Sequence, residues 1–168
     1  MRTFSIIVAV CNNNGIGMNG KLPWRNKEDM AFFKTITINT KDMLKQNIVV
    51  MGRNTFESMN NKVLLLRKNI VISKNHLYGV LCMKSLDEVL RSYENDKDVE
   101  NIFVIGGAML YNEAIKHPMC EKIYINYIKE HYNCDTFFPK INDNVYEKIE
   151  EKQLSPLVLS EVYVRKLS

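Results

Sequence analysis

Short apolar runs alternate along this chain with segments whose apolar positions recur every three to four residues. Residues 3–10 (TFSIIVAV) are almost continuously apolar, as in a strand covered on both faces. Residues 26–38 carry apolar positions at helical spacing and predict a helix with Asn26 at its start. The same alternation continues: a strand at 47–51, a short helix at 55–59, a strand at 68–73 and a helix at 85–93. Ser85 and Glu88 stand at the spacing of a capping box for that last helix. A strand at 101–105 runs into Gly106-Gly107, a helix follows to about Ile115, and a further strand is expected at 122–128. Residues 146–150 and 159–167 alternate apolar with polar and predict antiparallel strands. Strands interleaved with helices imply a mainly parallel α/β sheet, the antiparallel pair at one edge, and ligands at the carboxyl ends of the strands.

Length and composition narrow the classes. The 168 residues argue for one domain, 1–168, with 46% hydrophobic and 25% charged residues excluding a disordered or low-complexity chain. The longest apolar run near the start, 6–11, is far short of the ~20 residues a bilayer needs, so a cytoplasmic chain without a membrane partner is expected. The formal charge is +4 with no block of five like charges, so no nucleic-acid arm is expected. Cys11, Cys82, Cys120 and Cys134 are widely spaced and His76, His117 and His131 are scattered, which disfavours a metal centre.

Five places carry candidate chemistry. Residues 14–24 (NGIGMNGKLPW) follow the first strand with three glycines and end at the only tryptophan, which suits a mobile lid that excludes water; an ordinary surface loop is the plainer alternative. Asp29 lies three residues beyond Asn26 and shares a helical face with Phe33 and Ile36. It either caps the helix or aims a carboxylate into an apolar cleft, where two adjacent N–H groups of a heterocycle satisfy both oxygens. Gly52, Arg53, Asn54 and Thr55 join a strand to a helix and suit an anion, unless Asn54 is merely a cap. Gly106-Gly107-Ala108 makes a second such junction, and one dinucleotide can bridge both. Arg67, after an apolar stretch, is either a solvated strand-edge residue or a cation beside an apolar wall, and Ser73-Lys74 has the same two readings.

Taken together these motifs resemble the dihydrofolate reductase family from about residue 4 to 139. The resemblance rests on Gly15-Ile16-Gly17 with Leu22-Pro23-Trp24, Asp29 with Phe33, Met51 to Thr55, Ile105-Gly106-Gly107 with Tyr111, and Cys134-Asp135-Thr136-Phe137-Phe138-Pro139. It implies a three-layer sandwich around a mostly parallel eight-stranded sheet with an antiparallel C-terminal edge. It implies hydride transfer from NADPH to C6 of 7,8-dihydrofolate with protonation at N5, and a monomer that binds dihydrofolate and antifolate-like molecules. Asp29 matches the acid that grips the pterin; Leu22 and Trp24 match lid and water-holding residues. Ile7, Val8, Met30, Phe33, Met59, Leu64 and Ile105 match the substrate pocket, and Arg67 the partner of the substrate's α-carboxylate. Ala9, Ile16, Gly17, Gly20 and Leu22 match the nicotinamide side. Gly52, Arg53, Asn54, Thr55, Ser73, Lys74 and the run Ile105, Gly106, Gly107, Ala108, Met109, Leu110, Tyr111 match the remaining cofactor contacts, with a cis peptide at Gly106-Gly107.

Three positions depart from the family pattern. Asn126 stands where threonine usually bonds the acid, and its longer amide is expected to reach from farther out. Residues 60–66 lack the usual proline and glycine, which leaves the aim of Arg67 open. Phe56 replaces a common tryptophan in what is expected to be packing. A reductase of the same fold acting on a ribosylated aminopyrimidine is disfavoured by Asp29 and Arg67, and a non-catalytic folate-binding protein by the lid and the acid.

Overall fold

The first strand, β1 (Phe4–Val10), sits in the interior of an eight-stranded sheet. Its neighbours are β6 (Val99–Val104) and β7 (Cys120–Ile128), both parallel to it. On the far side of β6 come β3 (Gln46–Gly52), β4 (Lys68–Ile72) and β5 (Leu81–Met83), again all parallel. Beyond β7 lies β10 (Val158–Arg165), which runs antiparallel to it and to the edge strand β9 (Tyr146–Ser155). A separate two-stranded ribbon joins β2 (Gly15–Gly17) to β8 (Thr136–Phe137). This is a computed structural model, and it describes residues 2–167; Met1 and Ser168 of the expected 1–168 domain lie outside the described residues.

The continuous apolar runs bury both faces of the central strands, so alternate residues feed two cores. Ile6, Val8, Val10, Ile48, Val50, Ile102 and Val104 pack on one face with residues of α3 (Leu86–Ser92) and α4 (Ala108–Lys116). Ile7, Val49, Met51, Val71 and Phe103 pack on the other with Phe33 and Ile36 of α1 (Lys27–Ile38) and Phe56 of α2 (Arg53–Ser58). Phe56 is fully buried there, as the packing role requires. Helix, sheet and helix form the three layers. No helix among the described residues is long and apolar enough to cross a membrane.

Several expectations need correction. β5, β2 and β8 were not foreseen, because strands of two or three residues leave no periodicity to read. β9 continues to Ser155 although its middle is almost wholly polar, since an edge strand needs only the backbone of β10. α2 starts at Arg53 with Gly52 as its cap, so Asn54 is inside the helix and caps nothing. The Ser85–Glu88 box is half formed. Ser85 Oγ accepts from the Glu88 N–H at 3.0 Å, but the Glu88 carboxylate accepts from the Lys84 N–H at 2.7 Å instead of closing back.

Candidate active site

Parallel strands bring their carboxyl ends to one rim, where every candidate segment gathers. β1 exits there into the glycine loop, β3 into Gly52 and α2, β4 into Ser73-Lys74, and β6 into Ile105-Gly106-Gly107. The loop's course is set by left-handed residues, Asn13, Asn14, Asn19 and Gly20, the asparagines because their short amides tolerate that conformation. A 3₁₀ turn (Asn12–Asn14) and β2 give the expected lid a defined root. Leu22 is 60% exposed at its far end, and Trp24 is buried against Ile128 and Val158.

α1 begins as its sequence requires: Asn26 Oδ1 accepts the Asp29 N–H at 2.9 Å. The Asp29 side chain does not return to the cap. It is 8% exposed and accepts from Asn126 Nδ2 at 2.9 Å. Asn126 thus donates directly to the acid, because β7 alternation turns it to the same face as α1. Burial pushes the Asp29 carboxyl above its ordinary value, while the Asn126 donor and the nearby Trp24 indole pull it part of the way back. Two buried polar atoms beside this acid make no hydrogen bond of normal geometry among the described residues: Trp24 Nε1, a donor, and Asn126 Oδ1, an acceptor. Buried polar atoms are seldom left unpaired in a folded chain, so the pair marks a place built to meet a polar ligand or solvent.

The surroundings are apolar. Ile7 and Val8 are buried, Ala9, Phe33, Met59, Leu64 and Ile105 are half-buried, and Met30 is 50% exposed at the rim. Ile16 packs on the main core, Gly17 is buried and Gly20 is exposed. Tyr111 spans the middle layer: its hydroxyl donates to the Ile7 carbonyl at 2.9 Å. Burial raises the Tyr111 phenol, and the Asp29 charge adds to that. Leu110 and Tyr111 thus lie in the core and brace the rim from below, whereas Met109 is 90% exposed on it.

The two glycine junctions touch. Gly52 N–H donates to the Gly106 carbonyl at 2.8 Å, and a Cβ on Gly107 would stand 3.3 Å from Thr55 Oγ1. Gly106 has φ +117 and a Cβ there would meet the Tyr111 ring at 3.0 Å, so only glycine fits. The Gly106-Gly107 peptide is cis. The N-termini of α2 and α4 consequently open side by side, with Arg53, Asn54 and Lys74 exposed around them and Ser73 and Ala108 half-buried. Adjacent helix N-termini, backbone unobstructed by side chains and a basic margin fit a pyrophosphate.

Arg67 is not the solvated strand-edge residue of the plainer reading. Its Nη1 donates to Thr37 Oγ1 at 3.0 Å and its Nε to the Leu65 carbonyl at 2.9 Å. Partial burial lowers its pKa from the ordinary arginine value. Asn69 supports it by bonding both the N–H and carbonyl of Leu64 and the carbonyl of Arg67. Neither Thr37 nor Asn69 was anticipated; a threonine on the apolar face of a helix and an asparagine opening a buried strand were the available signals.

A family model described as dihydrofolate reductase matches residues 3–157. The chain is 40% identical over 159 residues to dihydrofolate reductase of Heliothis virescens, covering 89% of this chain and 86% of that protein. It is 40% identical over 168 residues to dihydrofolate reductase of Drosophila melanogaster, covering 96% and 92% respectively. Identity to the bifunctional dihydrofolate reductase-thymidylate synthase of Daucus carota is 41% over 157 residues, 87% of this chain but only 30% of that protein. Relatives matched nearly end to end at this identity, on a fold whose acid, lid and glycine junctions meet at one rim, leave one conclusion: the chain belongs to the dihydrofolate reductase family.

Proposed function

We propose that this chain reduces 7,8-dihydrofolate to tetrahydrofolate with NADPH as donor, and that Asp29 orients the substrate. The observation that carries the reading is the buried Asp29 carboxylate, held on one side by Asn126 and flanked by two buried polar atoms that make no hydrogen bond of normal geometry among the described residues. A carboxylate so placed accepts from the neighbouring 2-amino and N3 groups of a pterin, and that pairing fixes which face of the ring lies toward the rim. Its raised proton affinity supports protonation at N5 through the pterin, with solvent held near Trp24 carrying the proton. Phe33, Met30, Met59 and Leu64 enclose the ring and benzoyl group, and Arg67 presents a planar fork to the glutamate carboxylate.

The dinucleotide would be held by Arg53, Asn54 and Thr55, by Gly106 to Met109, and at its 2′-phosphate by Ser73 and Lys74, a pairing that favours NADPH over NADH. When bound, it supplies the hydride. Ala9, Ile16, Gly17 and Gly20 leave room for it, and Leu22 closes over the reacting rings to exclude water. Antifolate-like heterocycles with the same paired N–H edge compete for Asp29. We further propose that the chain acts as a monomer in the cytoplasm. The direct test follows absorbance at the NADPH band after dihydrofolate is added. Decay proportional to protein concentration supports the reading, and no decay with freshly purified protein removes it.

A further inference from the structure

The glycine loop is clasped at its root by the segment from the end of β7 through Phe138, and two thiols meet where the two segments touch. Tyr132 N–H donates to Asn12 Oδ1 at 2.7 Å, Asp135 N–H to the Gly17 carbonyl at 2.9 Å, and Phe138 N–H to the Asn14 carbonyl at 2.8 Å. Asn19 N–H returns a bond to Asp135 Oδ2 at 3.1 Å. In the middle, Cys11 Sγ and Cys134 Sγ lie 3.5 Å apart, both free. Gly15 makes room for them: a Cβ there would fall 2.5 Å from Cys134 Sγ and 3.1 Å from Cys11 Sγ. One sulfur closes the first strand of the sheet and the other belongs to the clasping segment, so a bond between them would convert a set of hydrogen bonds into a covalent latch.

We propose that Cys11 and Cys134 are an oxidative modification site, closing to a disulfide that locks the root of the glycine loop. The oxidant is a low-molecular-weight disulfide. Cys134 is half-buried and is the thiol within its reach, whereas Cys11 is buried. The Cys134 thiolate attacks one sulfur of the oxidant, breaking its S–S bond and releasing one small thiol. Cys11, as thiolate, then attacks the Cys134 sulfur of the mixed disulfide and releases the second small thiol. Two electrons pass to the oxidant, and the two protein thiol protons end on the two small thiols. Burial, with a smaller push from Cys134, lifts the Cys11 thiol to about 11, which makes this second step faster in alkaline buffer. The effect on turnover rests on the reductase reading; the bond does not.

The test incubates the reduced full-length chain with glutathione disulfide, followed by intact mass, peptide mapping and amide hydrogen exchange. Expected are a loss of about 2 Da, a peptide linking positions 11 and 134, and exchange at loop residues 12–19 slowed about tenfold or more, all reversed by dithiothreitol. Cys134→Ser gives no linked peptide and no change in loop exchange. A stable glutathione adduct on Cys134 as the end product overturns the proposal, as does a linked peptide without slower exchange, or slowing that persists in Cys134→Ser. NADPH oxidation, measured in parallel, should fall in the oxidised chain and return on reduction. If the reduced chain shows none either, the reductase reading fails while the mass and exchange results stand.

Discussion

Asn126 on β7 donates from Nδ2 to Asp29 Oδ1 on α1 at 2.9 Å, and this bond couples the middle of the sheet to the first turn of a helix on its face. It stabilises the charged acid against burial, which works in the opposite direction. Replacing Asn126 by Ala removes the larger of the two influences that lower the acid, the other being Trp24, so the acid should titrate at higher pH. The acid limb of the pH profile of kcat then moves upward, while Asn126→Thr, which keeps a donor, moves it less. Because Asn126→Ala also leaves the buried carboxylate without its donor, stability should fall by about 1.5–3 kcal/mol by denaturant unfolding. An unchanged pH profile in Asn126→Ala would show that the bond is structural only.

Asp29→Asn should separate activity from stability. Hydride transfer falls by two orders of magnitude or more, about 3 kcal/mol or more at 1.36 kcal/mol per decade, with NADPH affinity nearly unchanged by fluorescence titration. The sign of the stability effect follows from the raised carboxyl. Its folded value lies above the ordinary 3.8, so the folded state binds the proton more tightly than the unfolded state. The stabilisation is full below the unfolded value and is lost as pH rises through the folded one. At neutral pH the parent therefore carries the whole cost of a buried charge, and Asp29→Asn should be the more stable protein, with the gap narrowing as pH falls through the raised folded value toward the ordinary 3.8 and constant below it. Equal loss of hydride transfer and NADPH affinity would instead mark the Asp29–Asn126 bond as structural only.

The layer order was readable because the two cores follow directly from runs such as 48–51 and 102–104, where neighbouring residues serve opposite faces. Asp29 was readable because a carboxylate at the spacing of Phe33 and Ile36 conflicts with its apolar neighbours. What escaped had no periodic trace. The β2–β8 ribbon is two backbone segments far apart in sequence, and Asn69 acts through its amide on residues 64 and 67, a contact decided by how a loop returns. The reach of Asn126 depended on which face of β7 it occupies, and a strand covered on both faces does not declare that alone.

Arg67 is aimed by Thr37, which makes the pair separable from the rest of the pocket. Arg67→Leu should weaken dihydrofolate binding by about 1.5–3 kcal/mol while barely changing the affinity for a pterin without the glutamate. Thr37→Val keeps the charge but frees its direction, so the same discrimination should shrink without vanishing. Equal weakening of both ligands by Arg67→Leu would place the arginine away from the carboxylate.

The two glycine junctions predict opposite outcomes for one added methyl group. At Gly106 the backbone is left-handed and a Cβ would press on the Tyr111 ring, whose hydroxyl holds the Ile7 carbonyl. Gly106→Ala should therefore lower Tm by several degrees, in line with a loss of about 1–3 kcal/mol. At Gly52 φ is −77 and the nearest atoms to a Cβ, on Gly106 and Gly107, are 3.9 Å away, an ordinary contact. Gly52→Ala should fold normally and keep or slightly raise its Tm, since alanine restricts the unfolded chain more than glycine does. If the dinucleotide lies across these junctions, the same variant should lose NADPH affinity while its Tm is maintained. Normal NADPH affinity in Gly52→Ala, measured by titration of the folded variant, would move the pyrophosphate away from this pair of helix ends.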